Sequence, residues 1–167
     1  MIQVYTGNGK GKTTAALGLA LRAAGAGFRV FIGQFCKGRT YSELKSLRKI
    51  GNIKVEQFGR RCFIKKNPDA TDKELARQGF ERIKMIIKEG FYNIVILDEI
   101  NIALRYKLLD LDEVLELIKN TPKQVELVFT GRFAPKRIID VADLVSWIRD
   151  VKHYYKKGIK ARRGIEF

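Results

Sequence analysis

Near the start of the chain stands Ile2-Gln3-Val4-Tyr5-Thr6-Gly7-Asn8-Gly9-Lys10-Gly11-Lys12-Thr13-Thr14. An apolar run comes first, a glycine-rich turn follows, and an Ala- and Leu-rich run typical of a helix comes after Thr13. A glycine-rich turn between a strand and a helix predicts a phosphate-binding loop, because backbone N–H groups and the helix N-terminus then face one anion. We expect Lys12 to neutralise the outer phosphates of a nucleoside triphosphate, and the Thr13 hydroxyl to bind Mg²⁺.

The loop is shorter than the usual phosphate loop. The pattern G-x-x-x-x-G-K-[ST] needs a glycine at position 6, where this chain has Thr6. Because its first glycine is Gly7, the loop is one residue shorter. We therefore expect it to hold phosphates differently from the loop of an ordinary ATPase or kinase.

Strand-like and helix-like segments alternate along the rest of the chain. This alternation predicts an α/β fold with a mainly parallel sheet and helices on both faces, a P-loop NTPase domain of the RecA-like type. The chain has 167 residues and no linker-like tract, so we expect one domain over residues 1–167. The predicted strands are 2–5, 29–35, 53–58, 93–97, 124–129 and 144–148, and the predicted helices are 13–24, 42–50, 71–88, 111–119 and 135–142.

Two further motifs follow predicted strands. The apolar run Ile94-Val95-Ile96-Leu97 ends in Asp98-Glu99, the acidic strand end with which P-loop proteins hold Mg²⁺ or its waters. Arg132, in Thr130-Gly131-Arg132, follows another strand and is placed to contact phosphate in the same cleft. The sequence offers no evident general base, which fits a reaction whose nucleophile comes from the substrate.

The composition is strongly basic, with 33 Lys and Arg, 18 Asp and Glu, and a net charge of +15. This charge attracts anions but does not indicate which class of anionic ligand the protein binds. No apolar run approaches the roughly 20 residues that span a bilayer, and no signal peptide is evident, so we expect a cytoplasmic protein without a membrane partner. Cys36 and Cys62 match no zinc or redox spacing and are interpreted as reduced thiols, and the lone His153 as a structural or surface group.

The whole chain resembles the ATP:corrinoid adenosyltransferases of the P-loop, cobalamin-biosynthesis type (the cob(I)yrinic acid a,c-diamide adenosyltransferase family). The short loop from Thr6 to Ala16 and the ending Gly164-Ile165-Glu166-Phe167 together are specific for that family. The other matching segments are Gln34-Phe35-Cys36-Lys37-Gly38, Leu97-Asp98-Glu99, Thr130-Gly131-Arg132, Ala142-Asp143-Leu144-Val145, Val151-Lys152-His153 and Gly158-Ile159-Lys160-Ala161.

The resemblance implies a reaction in which a corrinoid, reduced to Co(I), attacks the 5′ carbon of ATP. The adenosyl group moves to cobalt and inorganic triphosphate leaves. ATP in this family lies in the reverse sense along the loop, which accounts for the short loop and the missing base. The resemblance also implies a homodimer and a separate reductant for cobalt, such as a flavoprotein.

The resemblance assigns roles to individual residues. It implies that Gly7, Asn8, Gly9, Lys10, Gly11, Lys12, Thr13 and Thr14 bind the triphosphate, and that Thr13 and Glu99, with Asp98 beside them, hold Mg²⁺. Arg22 matches a nucleotide-contacting arginine, and Arg132 matches a phosphate contact.

Two regions depart from the family pattern. Better-known members carry an N-terminal segment that covers the partner subunit's site, whereas this chain begins at its first predicted strand. Where those members have an aromatic Gly-Phe-Thr-Trp-like stretch facing cobalt, this chain reads Gly59-Arg60-Arg61-Cys62-Phe63-Ile64. We expect Phe63 to pack on the lower face of the corrinoid, or alternatively to anchor a solvated loop in the core.

Two other functions remain compatible with a phosphate loop. The charge and the basic residues 152–163 would suit an ATPase acting on nucleic acid, although charge supplies affinity and no mechanism, and no RNA-binding aromatic signature is present. A small-molecule kinase is the other alternative. The products distinguish the three functions: triphosphate with an adenosylcorrinoid, ADP with phosphate, or a phosphorylated metabolite.

Overall fold

The computed structural model describes residues 1–60 and 68–167. Its six-stranded sheet has the order β3-β2-β4-β5-β1-β6, and all neighbouring strands are parallel, which confirms the predicted α/β class. The strands are β1 (Ile2–Thr6), β2 (Val30–Phe35), β3 (Ile53–Phe58), β4 (Ile94–Asp98), β5 (Glu126–Thr130) and β6 (Leu144–Trp147). The helices are α1 (Lys12–Gly25), α2 (Ser42–Leu47), α3 (Ala70–Glu89), α4 (Ile100–Arg105), α5 (Leu111–Asn120) and α6 (Lys136–Val141), with a 3-10 helix at Tyr154–Lys157.

Helices cover both faces of the sheet, as continuous apolar parallel strands require. Successive strand residues point to opposite faces. On one face, Phe31 and Leu97 belong to a buried cluster with Phe80 and Ile83 of α3. On the other face, a second cluster joins the small residues of α1 to the strands; its buried members include Ala16, Ala20, Ile32, Ile96 and Val128.

Each of the four central strands is followed at once by a residue with a positive φ. These residues are Gly7 after β1 (101°), Cys36 after β2 (57°), Glu99 after β4 (60°) and Gly131 after β5 (123°). A left-handed residue turns the chain sharply, so the loops that follow gather at the carboxyl edge of the sheet. Ligands bind at this edge in open parallel sheets.

All the predicted elements are present, most with bounds that differ by one residue; besides the unpredicted 3-10 helix, three differences are larger. Helix α4 was not predicted, because it begins at a left-handed Glu99 with no side-chain cap and is short. Helix α2 ends at Leu47 instead of residue 50, since Lys49 N bonds Ser46 O and Ile50 N bonds Leu47 O, the tighter 3-10 pattern. Strand β5 spans Glu126–Thr130 instead of 124–129.

Arg60 stands immediately before the segment that lies outside the described residues. Its guanidinium donates to both oxygens of Asp72, at 2.9 and 2.8 Å, and to Asp69 Oδ2 at 2.8 Å. Asp69 and Asp72 also form the capping box of α3. One arginine thus ties the end of β3 to the start of α3. None of the helices in the described part of the chain is long and apolar enough to cross a membrane.

Candidate active site

The phosphate loop packs against the chain that follows β6. Gly9 N donates to Ile148 O at 2.9 Å. A Cβ at Gly7 would lie 2.4 Å from Ile148 O, and one at Gly9 would lie 2.7 Å from the Arg149 carbonyl carbon. Only glycine allows this close approach, so both loop glycines are needed for packing, and Gly7, with φ 101°, is needed for conformation as well.

Lys12 bends back into the loop. Its Nζ donates to Gly9 O at 2.6 Å, and the side chain is half-buried. Burial lowers the pKa of Lys12, the charge of Glu99 opposes that effect, and the charge of Arg132 adds to it. The loop therefore holds an ammonium group close to one carboxylate and one guanidinium, all at the carboxyl edge of the sheet.

Asp98 is the centre of a buried hydrogen-bond network. Its Oδ1 accepts from Thr13 Oγ1 at 2.8 Å and from Thr130 Oγ1 at 2.7 Å, and its Oδ2 accepts from Gln34 Nε2 at 3.1 Å and Lys37 Nζ at 2.8 Å. The side chain is 1% exposed. Both oxygens are thus engaged, and Asp98 does not line the cavity described below.

The expectation that Asp98 helps to hold Mg²⁺ stays a prediction; in this structure both of its carboxylate oxygens accept hydrogen bonds. Because the Thr13 hydroxyl donates its hydrogen bond to Asp98, the lone pairs of the hydroxyl oxygen can face a cation. Asp98 is therefore placed to orient Thr13, whereas the neighbouring Glu99 lines the cavity.

Lys37 is a site residue that sequence reasoning missed. Burial works to raise the pKa of Asp98, but the Lys37 ammonium and the hydrogen bonds from Lys37, Thr130 and Thr13 hold it below its ordinary value. Burial likewise works to lower the pKa of Lys37, and Asp98 raises it above its ordinary value. The two groups form an ion pair at the base of the cavity, which Lys37 also lines.

Glu99 owes its position to the turn after β4. Its backbone has φ 60° and ψ 20°, and its N–H donates to Thr130 Oγ1 at 3.0 Å. Burial raises the pKa of Glu99, the Asp98 carboxylate raises it further, and Lys37, Lys12 and Arg132 offset part of the rise. Within the described residues no hydrogen bond reaches the Glu99 carboxylate. A half-buried acid whose carboxylate accepts no hydrogen bond from the described residues is suited to a cation.

The two predicted arginines have different positions. Arg132 follows Gly131, whose carbonyl is held by Asn101 Nδ2 at 3.1 Å, and its guanidinium lies 5.7 Å from the ring centroid of Phe133. The charge of Arg132 lowers the pKa of both Glu99 and Lys12. Arg22 lies in the last turn of α1, roughly 13 Å along the helix from Thr13 at 1.5 Å per residue. The structure does not bring Arg22 together with the loop.

A cavity of about 650 Å³ opens beside the loop. Of the predicted loop residues, Lys10, Gly11, Lys12, Thr13 and Thr14 line it, whereas Gly7 and Gly9 are buried behind it and Asn8 is exposed. Lys37 and Glu99 lie at its base. The other lining residues are Leu17, Tyr41, Ser42, Glu43, Ser46, His153, Gly164, Ile165, Glu166 and Phe167.

Residues 153–167, here called the tail segment, contribute to the cavity, although none of them is predicted from the sequence to lie at the nucleotide site. Five of them line it, including His153, whose Nδ1 accepts from Tyr155 N at 3.1 Å and caps the 3-10 helix. The interpretation of His153 as a structural group fits that cap, although the side chain also faces the cavity. The ending Gly164-Ile165-Glu166-Phe167, which carries part of the family resemblance, was the signal in the sequence.

The model of the family "ATP:corrinoid adenosyltransferase BtuR/CobO/CobP" matches residues 1–167. The chain belongs to this family. A corrinoid adenosyltransferase of Escherichia coli K12 is 34% identical over the whole chain and 85% of its own length. One from a Sinorhizobium species is 36% identical, with 80% of its own length covered, and CobA of Salmonella typhimurium LT2 is 33% identical, with 85% covered.

The short phosphate loop lies within the region that the family model matches. The site has a phosphate loop, a hydroxyl held by a buried carboxylate, and a second carboxylate facing the cavity. Phe63, expected to face the corrinoid, lies outside the described residues, so its role stays a prediction. The assignments of Lys10, Lys12, Thr13, Glu99 and Arg132 to ATP and metal also stay predictions, and they are taken up below.

Proposed function

We propose that this chain transfers the 5′-deoxyadenosyl group of ATP to the Co(I) centre of a corrinoid, in the synthesis or salvage of adenosylcobalamin. Cobalt supplies the electron pair that forms the Co–C5′ bond. The C5′–O bond breaks, and inorganic triphosphate leaves with its electron pair. Cobalt is thereby oxidised formally from Co(I) to Co(III), and no proton transfer is required.

One observation carries the proposal: three lysines line the cavity beside the short loop. These are Lys10, Lys12 and Lys37, and two of the nearby acids are ion-paired with them, Asp98 with Lys37 and Glu166 with Lys10. Such a cavity is suited to hold and neutralise a leaving triphosphate, because fixed charges stabilise negative charge that develops in the transition state.

The residues present also fit Mg²⁺. Thr13 and Glu99 both line the cavity, and hydroxyl and carboxylate oxygens are the ligands this ion prefers, with phosphate oxygens and waters completing its shell. We infer that Thr13 and Glu99 would hold it, while Asp98 fixes the Thr13 hydroxyl. When bound, Mg²⁺ would add positive charge to the triphosphate and so improve it as a leaving group.

Family membership also supports three proposals about the setting of the reaction. We propose that the chain acts as a homodimer, that it works in the cytoplasm, and that a separate reductant delivers electrons to cobalt. The exposed side chains of Leu144, Val145 and Trp147 on the edge strand β6 are a surface that a second copy would cover.

The reaction is tested by incubating the protein with ATP, Mg²⁺ and chemically reduced cobalamin and recording the absorbance spectrum. We expect the spectrum of adenosylcobalamin to appear, with one triphosphate released for each adenosyl group transferred. Release of ADP and phosphate would instead indicate an ATPase, and a phosphorylated small molecule would indicate a kinase.

We expect Glu99→Gln to lower Mg²⁺-dependent turnover by about tenfold, since one charge-assisted contact to the ion is lost. The unfolding temperature of the ligand-free protein should stay the same or rise. The reason is that the raised pKa of Glu99 means the fold disfavours its charge near neutral pH, and glutamine removes that charge.

The measurement is turnover as a function of Mg²⁺ concentration, with thermal melting of the same samples. Glu116→Gln, on the exposed side of α5, is the control for losing one carboxylate. Unchanged Mg²⁺ dependence in Glu99→Gln would mean that Asp98 or the phosphates alone hold the ion.

A further inference from the structure

The tail segment returns to the phosphate loop and binds one loop side chain. Lys10 Nζ donates to Tyr154 Oη at 2.7 Å and to Glu166 Oε1 at 2.9 Å. The ammonium also lies 5.4 Å from the centroid of the Tyr154 ring. Lys10 is separated in sequence from Tyr154 by 144 positions and from Glu166 by 156 positions, so both contacts depend on the complete fold.

Glu166 is the centre of this contact. Its carboxylate accepts from the Tyr154 hydroxyl, from Arg162 N at 2.5 Å and from Arg162 Nη2 at 3.4 Å, as well as from Lys10. Arg162 in turn lies 4.7 Å from the centroid of the Tyr154 ring. The Glu166 side chain is 17% exposed, against 39% for Lys10. The carboxylate is therefore held from several sides and is not a solvated surface charge.

The end of the tail segment reaches the opposite side of the cavity. Phe167 O accepts from Oγ of Ser42, the first residue of α2, at 3.0 Å, and from Gly164 N at 2.7 Å. The segment thus runs from the phosphate loop to α2, and Gly164, Ile165, Glu166 and Phe167 form one side of the cavity.

Within the described residues, Lys10 keeps one donor for a ligand. An ammonium group has three N–H donors, and two of them are used by Tyr154 and Glu166. Lys10 lines the cavity, so the third can reach a phosphate oxygen there. A lysine held in place before the ligand arrives loses less conformational entropy on binding than a free one.

We propose that Glu166 and Tyr154 are positioning residues for ATP: they hold the Lys10 ammonium at the edge of the phosphate cavity and keep the tail segment as one side of the site. The proposal rests on the proposed function, since it assumes that the cavity binds a triphosphate. In this proposal Glu166 affects ATP binding through Lys10, whereas a purely structural contact would not. The dependence of the Glu166 effect on Lys10 can be measured.

The first measurement is the Kd of the wild-type protein for a non-hydrolysable ATP analogue with Mg²⁺, by calorimetry. Absence of binding by the wild type would overturn the proposed function itself. Given binding, we expect Glu166→Gln and Tyr154→Phe each to weaken it about three- to tenfold. In turnover, KM for ATP should rise by a similar factor while kcat changes less than about twofold.

The decisive measurement is a double-mutant cycle with Lys10→Ala. Lys10→Ala should weaken binding at least as much as Glu166→Gln, and adding Glu166→Gln to it should cause no further loss. Glu81→Gln is the matched control, because Glu81 also pairs with one arginine, Arg77, and one lysine, Lys84, but on α3. It should bind like the wild type.

Three results would overturn the proposal. Additive losses in the double variant would show that Glu166 does not act through Lys10. Tighter binding by Glu166→Gln would show that Glu166 competes with the phosphates for Lys10. Unchanged binding in both Glu166→Gln and Tyr154→Phe would show that the contact has no role in the site.

Discussion

Lys37→Met should lower the free energy of unfolding by about 3–5 kcal/mol near neutral pH, as expected when one partner of a buried ion pair is removed. The variant leaves the Asp98 carboxylate, 1% exposed, without its counter-charge. In the wild type the pKa of Asp98 lies below its ordinary value, so ionised Asp98 contributes stability above that value and this contribution is lost as pH falls.

The pH dependence distinguishes charge from packing in this variant. Without Lys37, burial raises the pKa of Asp98, so the variant should lose less stability than the wild type on acidification. The difference between the two proteins should therefore narrow from about pH 7 to about pH 4, measured by urea unfolding. Lys37→Met combined with Asp98→Asn should recover part of the loss at pH 7. An equal difference at both pH values would mean that Lys37 acts by packing alone.

The parts of the candidate site that can be located from the sequence are those whose information is local in sequence. The spacing of Gly7, Gly11 and Lys12 between a strand and a helix marks a phosphate loop by itself. The apolar run that ends in Asp98-Glu99 likewise marks a buried strand and its carboxyl end. The structure brings both to one edge, because β1 and β4 are parallel strands of one sheet, separated by β5.

The parts that were missed depend on which strands are neighbours. Lys37 reaches Asp98 because β2 pairs with β4 in a register that places Gln34 opposite Asp98. No periodicity in either segment reveals that pairing. The same holds for Asp98, whose two oxygens are filled by four side chains from three different parts of the chain. A carboxylate after a strand looks identical in sequence whether it faces the cavity or the core.

The contact between Lys10 and Glu166 is the least predictable from local sequence, since 156 positions separate the two residues. The ending of the chain could be noted as a resemblance, but its place beside the loop follows only from the path of residues 148–167. For Arg22, the resemblance implies a contact with the nucleotide, which stays a prediction; more than two turns of helix separate Arg22 from Thr13.

Lys12→Ala should weaken ATP binding about ten- to hundredfold, because each charge-assisted contact to a phosphate contributes roughly 1.5–3 kcal/mol. In the ligand-free protein the Lys12 ammonium donates to Gly9 O within the loop, and a triphosphate would draw it onto the phosphate oxygens. We expect Lys12→Ala to lose affinity for ATP without losing stability. Burial lowers the pKa of Lys12, so the fold disfavours its charge near neutral pH, and removing that charge should leave the unfolding temperature unchanged or higher.

The control for Lys12→Ala is Lys119→Ala, which removes the same charge from the exposed last turn of α5. That turn leads to the amino end of β5, whereas the cavity lies at the carboxyl ends of the strands. Long-range attraction of ATP by the basic protein should fall equally in both variants, so only the difference between them reports the contact in the loop. Calorimetry with a non-hydrolysable ATP analogue and Mg²⁺ gives both affinities. Equal affinities would mean that the backbone N–H groups of the loop hold the triphosphate without Lys12, and the assignment of Lys12 would then be wrong.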